Sequence, residues 1–437
     1  MRFEVSGHGP LKGDVTLPGD RLLTLTAMAF APLCHRSVRL VNQSVSSDVG
    51  LFRAFLENAG VSFEDTDDGF VMRGHGWKHN VEIGADVPDA VLHCVAAGTV
   101  FSGRDVTVLT PSPARRALAE RIVAALKPVG LGDSGIIVGD DTVTLQGSAL
   151  STGDVMQVRS AWSLELYSAA AMAAEKPLRV SVPASAVSHS VRLLEMLGFP
   201  AVPDVSDGRD AELERRLAKM SGGSPPDFRR FSCSGGKETT IVLPGDTLVA
   251  GALALTAALV QKSGLNIKNV LWEQGRRGLF ESLRRMKARL EYTQNRRKNS
   301  FDSADVMVKW SPLEGIHVTD MQALTMIPEL MLMGAAGAFA SGETVISDAA
   351  DGCGVGRGPF VALAEGLEML GAHIGDYADG IVVRGGRELR GDLVDACGHP
   401  AVALAFMVTG MNSAGTTTVF GFDENEYPVN VILGLVG

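Results

Sequence analysis

The chain repeats one supersecondary unit six times, and this repetition constrains its fold more than any other feature of the sequence. Each unit begins with an apolar, Ala-rich helical stretch that ends at a short break and leads into a β-rich segment. The predicted first helices are Leu22–Leu33, Ala90–Phe101, Trp162–Glu175, Thr247–Lys262, Glu329–Ala340 and Pro400–Met411. The predicted strands after them are Ser37–Asn42, Asp105–Thr110, Pro177–Val182, Leu265–Val270, Thr344–Asp348 and Thr416–Phe420. The spacing of roughly 70–85 residues is longer than that of solenoid repeats.

A second, more amphipathic helix follows each predicted strand, so that one unit consists of a helix, a strand, a helix and then a hairpin. These helices are predicted at Leu51–Ala59, Arg116–Val129, Val187–Leu197, Leu279–Leu290 and Phe360–Leu370, with a fragment at Val429–Leu435. Several of them end in glycine, which suits a left-handed helix cap before the chain returns as a strand. We therefore predict an α/β protein of six α-β-α-β-β units.

One four-residue phrase occurs twice in the chain, three units apart. Leu17-Pro18-Gly19-Asp20 precedes the first predicted helix, and Leu243-Pro244-Gly245-Asp246 precedes the fourth. Pro-Gly favours a turn, and Asp is a good helix N-cap. Identical turns in equivalent places predict two lobes of three units each. Residues 1–17 plus 244–437 are expected in one lobe and residues 18–243 in the other.

Composition excludes several classes of protein. With 46% hydrophobic and 21% charged residues, the 437-residue chain is not largely disordered. The net charge of −10, with no block of like charges beyond Arg296-Arg297-Lys298, disfavours nucleic acid and anionic membranes as partners. The five cysteines form no C-x-x-C pair, so neither a disulfide framework nor a structural zinc site is indicated. We expect no cofactor and no metal.

Two further features bear on location and assembly. The N-terminus begins like a strand, without a hydrophobic signal region. The longest apolar stretch, Leu330–Ala340, is too short to span a bilayer. We predict a cytoplasmic protein without nucleic-acid or membrane partners, which is a monomer or a small homo-oligomer. An anionic substrate would need a local basic pocket.

The opening segment Gly9–Asp20 resembles that of the enolpyruvyl transferase family, in particular its 5-enolpyruvylshikimate-3-phosphate synthases. Further agreement lies in Ser47-Asp48-Val49, Ile327-Pro328-Glu329, Leu363–Ala372 and Leu389–Asp392, so that the resemblance covers nearly the whole chain. It implies a two-lobed inside-out α/β barrel with three units per lobe. It also implies that the N-termini of the first helices converge on an interlobe cleft, where free N–H groups and partial positive charge suit an anion.

The resemblance also implies a reaction, in which enolpyruvyl passes from phosphoenolpyruvate to a hydroxyl. Addition gives a tetrahedral intermediate, from which phosphate is then eliminated, and this chemistry needs cations as well as acid–base groups. At several positions the chain departs from the family's motifs. The family's Gly-Ser-Lys-Ser, Asn-Ala-Gly-Thr, Ser-Ser-Gln, Lys-Glu-x-Asp-Arg and Asp-His-Arg correspond to Gly19–Leu22, Val87–Ala90, Arg159–Ala161, Val355–Pro359 and Gly398–Pro400. Thr26 stands where the family has a second first-loop Arg.

The motif positions supply the candidate site residues. The candidates for substrate binding are Asp20, Arg21, Arg159, Ser160, Asp320 and Arg357, and the catalytic candidates are Glu329 and His399. Arg21 suits an anion, and Arg159 suits bidentate binding of a carboxylate; the alternative for each is a surface contact. Asp320 lies in Thr319–Gln322, which looks like the related UDP-N-acetylglucosamine enolpyruvyl transferase.

The catalytic candidates also have purely structural interpretations. Glu329 occupies the place of the family's catalytic Asp and suits an acid or base, but an acidic residue in the first turn also stabilises a helix. His399 suits proton transfer near neutral pH, or packing and capping. His93 and Cys94 fall inside a predicted helix and are interpreted as core. We expect Arg21, Arg159, Glu329 and His399 to face one cleft.

These residues are compatible with three functions. The first is a divergent enolpyruvyl transferase-like enzyme that acts on a small anionic cyclic hydroxy acid. The second is a lyase that eliminates water from a shikimate-like ring without phosphoenolpyruvate, which suits the lost cations. The third is a non-catalytic relative that binds a ligand.

Overall fold

The structure is a computed structural model that describes residues 1–34, 36–74, 76–84, 86–151, 155–158, 160–182, 187–203, 227–233, 238–296, 300–347, 358–377 and 380–436. It divides into two compact units. The first unit comprises Met1–Asp20 and Pro244–Gly437, and the second comprises Arg21–Leu243.

Helices and strands alternate along the described residues of both units. The helices are α1 (Arg21–Phe30), α2 (Ser47–Asn58), α3 (Leu92–Phe101), α4 (Pro113–Leu126), α5 (Ala161–Ala173), α6 (Ser188–Met196), α7 (Thr247–Leu259), α8 (Gly278–Arg285), α9 (Asp320–Ala323), α10 (Leu330–Phe339), α11 (Gly358–Met369), α12 (Pro400–Met411) and α13 (Val429–Val436). The strands are β1 (Arg2–Ser6), β2 (Lys12–Thr16), β3 (Ser37–Val41), β4 (Ser62–Thr66), β5 (Gly69–Arg73), β6 (Val81–Ile83), β7 (Val106–Leu109), β8 (Ile136–Val138), β9 (Thr142–Leu145), β10 (Met156–Gln157), β11 (Leu178–Val182), β12 (Ala201–Pro203), β13 (Asp227–Phe231), β14 (Glu238–Val242), β15 (Gly264–Leu271), β16 (Arg289–Asn295), β17 (Ser303–Lys309), β18 (His317–Val318), β19 (Glu343–Ile346), β20 (His373–Tyr377), β21 (Gly380–Arg384), β22 (Leu393–Asp395) and β23 (Thr416–Phe420).

The described strands form six sheets that share one topology. In each sheet an outer strand runs parallel to its neighbour, and the neighbour pairs antiparallel with the next strand. The first unit holds β2-β15-β17-β16, β18-β19-β21-β20 and β22-β23-β1, and the second holds β14-β3-β5-β4, β6-β7-β9-β8 and β10-β11-β13-β12. The sixfold repetition in the sequence is therefore a repetition of sheet topology.

Two strands that are distant in sequence from their partners complete a sheet in each unit. In the first unit β2 pairs in parallel with β15, and Lys12 is in register with Gly264. In the second unit β14 pairs in parallel with β3, and Glu238 is in register with Ser37. The two Leu-Pro-Gly-Asp turns lie side by side, since the Asp20 N–H donates to the Pro244 carbonyl at 2.8 Å.

The first helices of the units form the core. Every residue of α3 is buried, and so are nearly all residues of α7, α10 and α12. Helices that are apolar all round must be buried on every side, which explains why they lack an amphipathic pattern. The predicted helix Pro400–Met411 and the predicted strand Thr416–Phe420 are confirmed residue for residue. The helix predicted to Lys262 ends at Leu259, because Val260 adopts an extended conformation.

No described helix has the length and apolar character needed to cross a membrane.

Two of the six repeats begin at a glycine whose backbone packs closely against a neighbouring strand. We expect Gly391→Ala to disrupt this packing. A Cβ atom at Gly391 would lie 2.2 Å from the carbonyl oxygen of Thr416, just as one at Gly315 would meet the Glu343 carbonyl. Because the obstacle is strand backbone, we expect the free energy of unfolding to fall by about 1–3 kcal/mol. Urea denaturation measures it. The matched control is Gly50→Ala in α2, where a Cβ meets nothing within 4 Å; an equal effect of the two substitutions would contradict the close approach.

Candidate functional site

A buried arginine joins two buried carboxylates in the first unit. Arg276 ends a short 3-10 turn, and its side chain is 3% exposed. Its Nη2 group donates to Asp20 Oδ2 at 3.2 Å and to Glu329 Oε1 at 3.1 Å. The Nη1 group donates to Asp20 Oδ1 at 3.4 Å. Since Asp20 and Glu329 are fully buried, this shared cation offsets much of the cost of holding their charges away from water.

The surroundings of Arg276 keep it charged. Burial is the largest single influence on the pKa of Arg276 and lowers it, because burial disfavours the charged form. The negative charges of Asp20, Glu329 and Asp246 outweigh burial and raise the pKa of Arg276 above its usual value. The cluster therefore contains a permanent cation.

The N-terminus of α7 completes the cluster. Asp246 is its N-cap and accepts from the Leu248 and Val249 N–H groups at 2.8 and 3.1 Å, as its place in the repeated turn predicts. The Thr247 hydroxyl accepts from Arg276 and donates to Glu329 Oε1. Four groups from four separate stretches of sequence, Asp20, Thr247, Arg276 and Glu329, thus form one buried hydrogen-bonded network.

The two oxygens of Glu329 have different surroundings. Glu329 is the N-cap residue of α10 and is 0% exposed. Its Oε1 accepts from Arg276 and Thr247. Its Oε2 is buried and has no hydrogen-bond partner among the described residues. One oxygen is therefore held in place by two donors, while the other keeps its capacity to accept or deliver a proton.

The structure places the other candidate residues as follows. Arg21 begins α1 in the second unit, and its Nε donates to Asp48 Oδ2 at 2.8 Å. Ser160 caps α5 in a capping box with Ser163. His399 is half-buried at the N-cap position of α12, and Asp320 begins α9.

Arg159 and Arg357 lie outside the described residues. Of the candidates, the structure brings Asp20 and Glu329 together on Arg276. Whether all the candidates share a site stays a prediction.

Arg276 and Thr247 lie in no motif that indicates a site. Arg276 sits beside Arg277 in a charged stretch before an amphipathic helix, a pattern typical of a solvated turn. The available signal was indirect. Asp20 in the repeated turn and Glu329 at a helix start would each need a cation if they were buried.

Two arginines in the first turn of α4, in the second unit, are engaged by protein groups. Arg115 donates to Asp89 and to three backbone carbonyls, those of Gly84, Val87 and Leu109. Arg116 donates to the carbonyls of Gly139 and Asp140. Both guanidinium groups therefore already have several protein acceptors.

Similar proteins found by sequence comparison carry the same name. Residues 229–424 match the family model of EPSP synthase (3-phosphoshikimate 1-carboxyvinyltransferase). A 3-phosphoshikimate 1-carboxyvinyltransferase of Desulfitobacterium hafniense is 26% identical over 448 residues, covering 99% of this chain and 97% of that relative. One of Roseiflexus sp. is 26% identical over 433 residues, covering 96% and 95%. These matches support the resemblance to the enolpyruvyl transferase family over nearly the whole chain.

Solved structures show the same enolpyruvyl transferase fold. An EPSP synthase from Acinetobacter baumannii superposes with a TM-score of 0.72 at 20% identity, covering 100% of this chain and 98% of that one. The enolpyruvyl transferase NikO from Streptomyces tendae superposes with a TM-score of 0.67 at 16% identity, covering 100% and 96%. The predicted enolpyruvyl transferase-like α/β fold is thus confirmed. At the coarse level, the relatives support a transferase-type function.

Proposed function

We propose that the chain is a divergent enolpyruvyl transferase-like enzyme that acts on a small anionic cyclic hydroxy acid related to shikimate. The observation that carries this proposal is Glu329, a buried carboxylate with Oε1 fixed by two donors and Oε2 without a partner among the described residues. Enolpyruvyl transfer requires a proton to leave the attacking hydroxyl and another to be added and removed at the enolpyruvyl carbon. In the proposal Glu329 Oε2 carries such a proton, while Arg276 holds the carboxylate in position.

The substrate class rests on the relatives. The two relatives reported above are named 3-phosphoshikimate 1-carboxyvinyltransferases, and the chain matches them over nearly their full length. Shikimate 3-phosphate and phosphoenolpyruvate are therefore the first pair to test. A helix N-terminus with free N–H groups attracts anions, so helix starts in a net-acidic chain could still hold such ligands.

A lyase is the second candidate function, and the engaged cations favour it. Arg21 is paired with Asp48, Arg115 with Asp89 and carbonyls, and Arg116 with carbonyls. Each would have to leave a protein acceptor before it could hold the phosphate or carboxylate of phosphoenolpyruvate. Elimination of water from a ring acid needs proton transfer but no phosphoenolpyruvate, and the same Glu329 could supply it.

Parallel assays of the purified chain distinguish these functions. One assay measures phosphate release from phosphoenolpyruvate in the presence of shikimate 3-phosphate, and the transferase proposal expects release that depends on both compounds. A second assay follows ultraviolet absorbance of a new conjugated acid from shikimate or its 3-phosphate alone, which the lyase expects. If both assays show no activity while the ring acids still raise the melting temperature, a non-catalytic binding role would replace both proposals.

Phosphoenolpyruvate is expected to bind weakly. Each cation missing from the family's motifs removes a charge-assisted hydrogen bond worth about 1.5–3 kcal/mol. Three such losses would weaken binding by about three or more factors of ten, since each 1.4 kcal/mol is about tenfold. Calorimetry with phosphoenolpyruvate, alone and with shikimate 3-phosphate, measures the dissociation constant. Arg116→Ala should leave the heat unchanged, because Arg116 is engaged by carbonyls. Micromolar binding would contradict the prediction and strengthen the transferase over the lyase.

A further inference from the structure

Three side chains with metal-ligating atoms converge where α3 packs against α5 in the second unit. His93 and Cys94 are neighbours on α3, and Glu165 lies on α5. Their exposed fractions are 1%, 0% and 9%. The expectation that His93 and Cys94 are buried is confirmed, but the structure adds a carboxylate that core packing does not require.

The distances suit a metal ion better than two simultaneous hydrogen bonds. His93 Nε2 lies 3.3 Å from Glu165 Oε2 and 3.3 Å from Cys94 Sγ, and the three atoms lie within 4.8 Å of one another. One ring nitrogen carries at most one hydrogen, so it cannot donate to both neighbours. Usual zinc–ligand bond lengths, arranged as a tetrahedron, separate nitrogen from oxygen or sulfur by about 3.3–3.6 Å. The two separations from His93 Nε2, both 3.3 Å, match edges of such a tetrahedron, and the third pair of ligand atoms lies within 4.8 Å.

Neighbouring groups hold two of these ligands in position. The buried Ser190 hydroxyl donates to Glu165 Oε1 at 2.7 Å and so fixes the carboxylate whose other oxygen faces His93. The Trp162 ring packs on the His93 ring with centroids 5.1 Å apart. Hydrogen bonds to a ligating carboxylate are typical of metal sites, because they orient it.

We propose that His93 Nε2, Cys94 Sγ and Glu165 Oε2 bind one zinc-like divalent cation that ties α3 to α5. Imidazole, thiolate and carboxylate together suit zinc, and the two negative ligands balance its charge. As the metal–sulfur bond forms, the thiol proton is released, and nothing is oxidised or reduced. The site is formed within the second unit and does not involve Glu329 or Arg276, so it is independent of the proposed function.

Cobalt(II) tests the site in the full chain, because a cobalt–thiolate bond absorbs in the near ultraviolet. Titration of the chelator-treated protein with Co²⁺ is expected to produce this charge-transfer band together with visible bands of a four-coordinate ion, saturating at one equivalent. Zn²⁺ should displace both. Cys94→Ser is expected to abolish the charge-transfer band, and Glu165→Gln to weaken Co²⁺ binding at least tenfold.

Two controls separate this site from other thiols and from misfolding. Cys34→Ser removes a buried thiol of the same unit that bonds the Phe30 carbonyl, and it should leave the spectrum unchanged. Ser190→Ala keeps all three ligands and should retain the band while weakening affinity about 10–100-fold. A titration of the unmodified chain without a charge-transfer band would overturn the proposal. So would a band that survives in Cys94→Ser or disappears in Cys34→Ser.

Discussion

Glu329→Gln is expected to lower turnover about 10²–10⁴-fold, the usual contribution of a general acid or base. The amide has the shape of the carboxylate and can still accept from Arg276 and Thr247 through its oxygen, but it cannot carry a proton between substrate atoms. We therefore expect the loss mainly in kcat, with KM changed by less than about tenfold. Steady-state kinetics of whichever reaction the parallel assays reveal measures both constants.

The matched control for this substitution is Glu343→Gln in the same unit. Glu343 is an exposed carboxylate on β19, where it lies 3.6 Å from Arg384. Its replacement should leave both constants unchanged. Full turnover in Glu329→Gln, with a folded protein by circular dichroism, would remove the acid–base assignment and leave Glu329 as a structural partner of Arg276.

Arg276→Met is expected to destabilise the first unit by about 3–5 kcal/mol. Methionine fills much of the same volume, yet it leaves Asp20 and Glu329 buried without the cation between them. Leaving buried charges without a partner is costly, since water cannot reach them. Urea denaturation of the purified variant measures the loss. Adding Asp20→Asn to Arg276→Met should recover part of it, because one stranded charge is then gone.

The neighbouring arginine provides a control for the same chemistry at an exposed site. Arg277 pairs with Glu281 at 2.7 Å on α8, where the two side chains are 27% and 51% exposed. Arg277→Met should change the free energy of unfolding by less than about 1 kcal/mol, as for other exposed ion pairs. Equal effects of Arg276→Met and Arg277→Met would mean that the buried network does not stabilise the unit.

Local sequence was sufficient for the repeating elements. The helix Pro400–Met411 and the strand Thr416–Phe420 were predicted residue for residue, because proline, glycine and the change from apolar helix to β-branched run mark their ends. The other predicted helices and strands differ from the structure at their ends, but the short outer strands β6, β10 and β18 were not predicted. The helix predicted from Ala90 begins at Leu92, where a preceding turn replaces its first residues. Motif positions also identified Asp20 and Glu329 as site candidates.

The sequence by itself determined the six repeated units, the α/β class and the resemblance to enolpyruvyl transferases, since these depend on neighbours along the chain and on motifs of a few residues. Only the tertiary structure decided which charges are buried together. Arg276 meets Asp20 across 256 positions of sequence, and His93 meets Glu165 across 72. Sequence periodicity does not predict such long-range contacts. A charged residue in a solvated turn and one in a buried network have the same local sequence pattern, and only the packing of the surrounding sheets and helices distinguishes them.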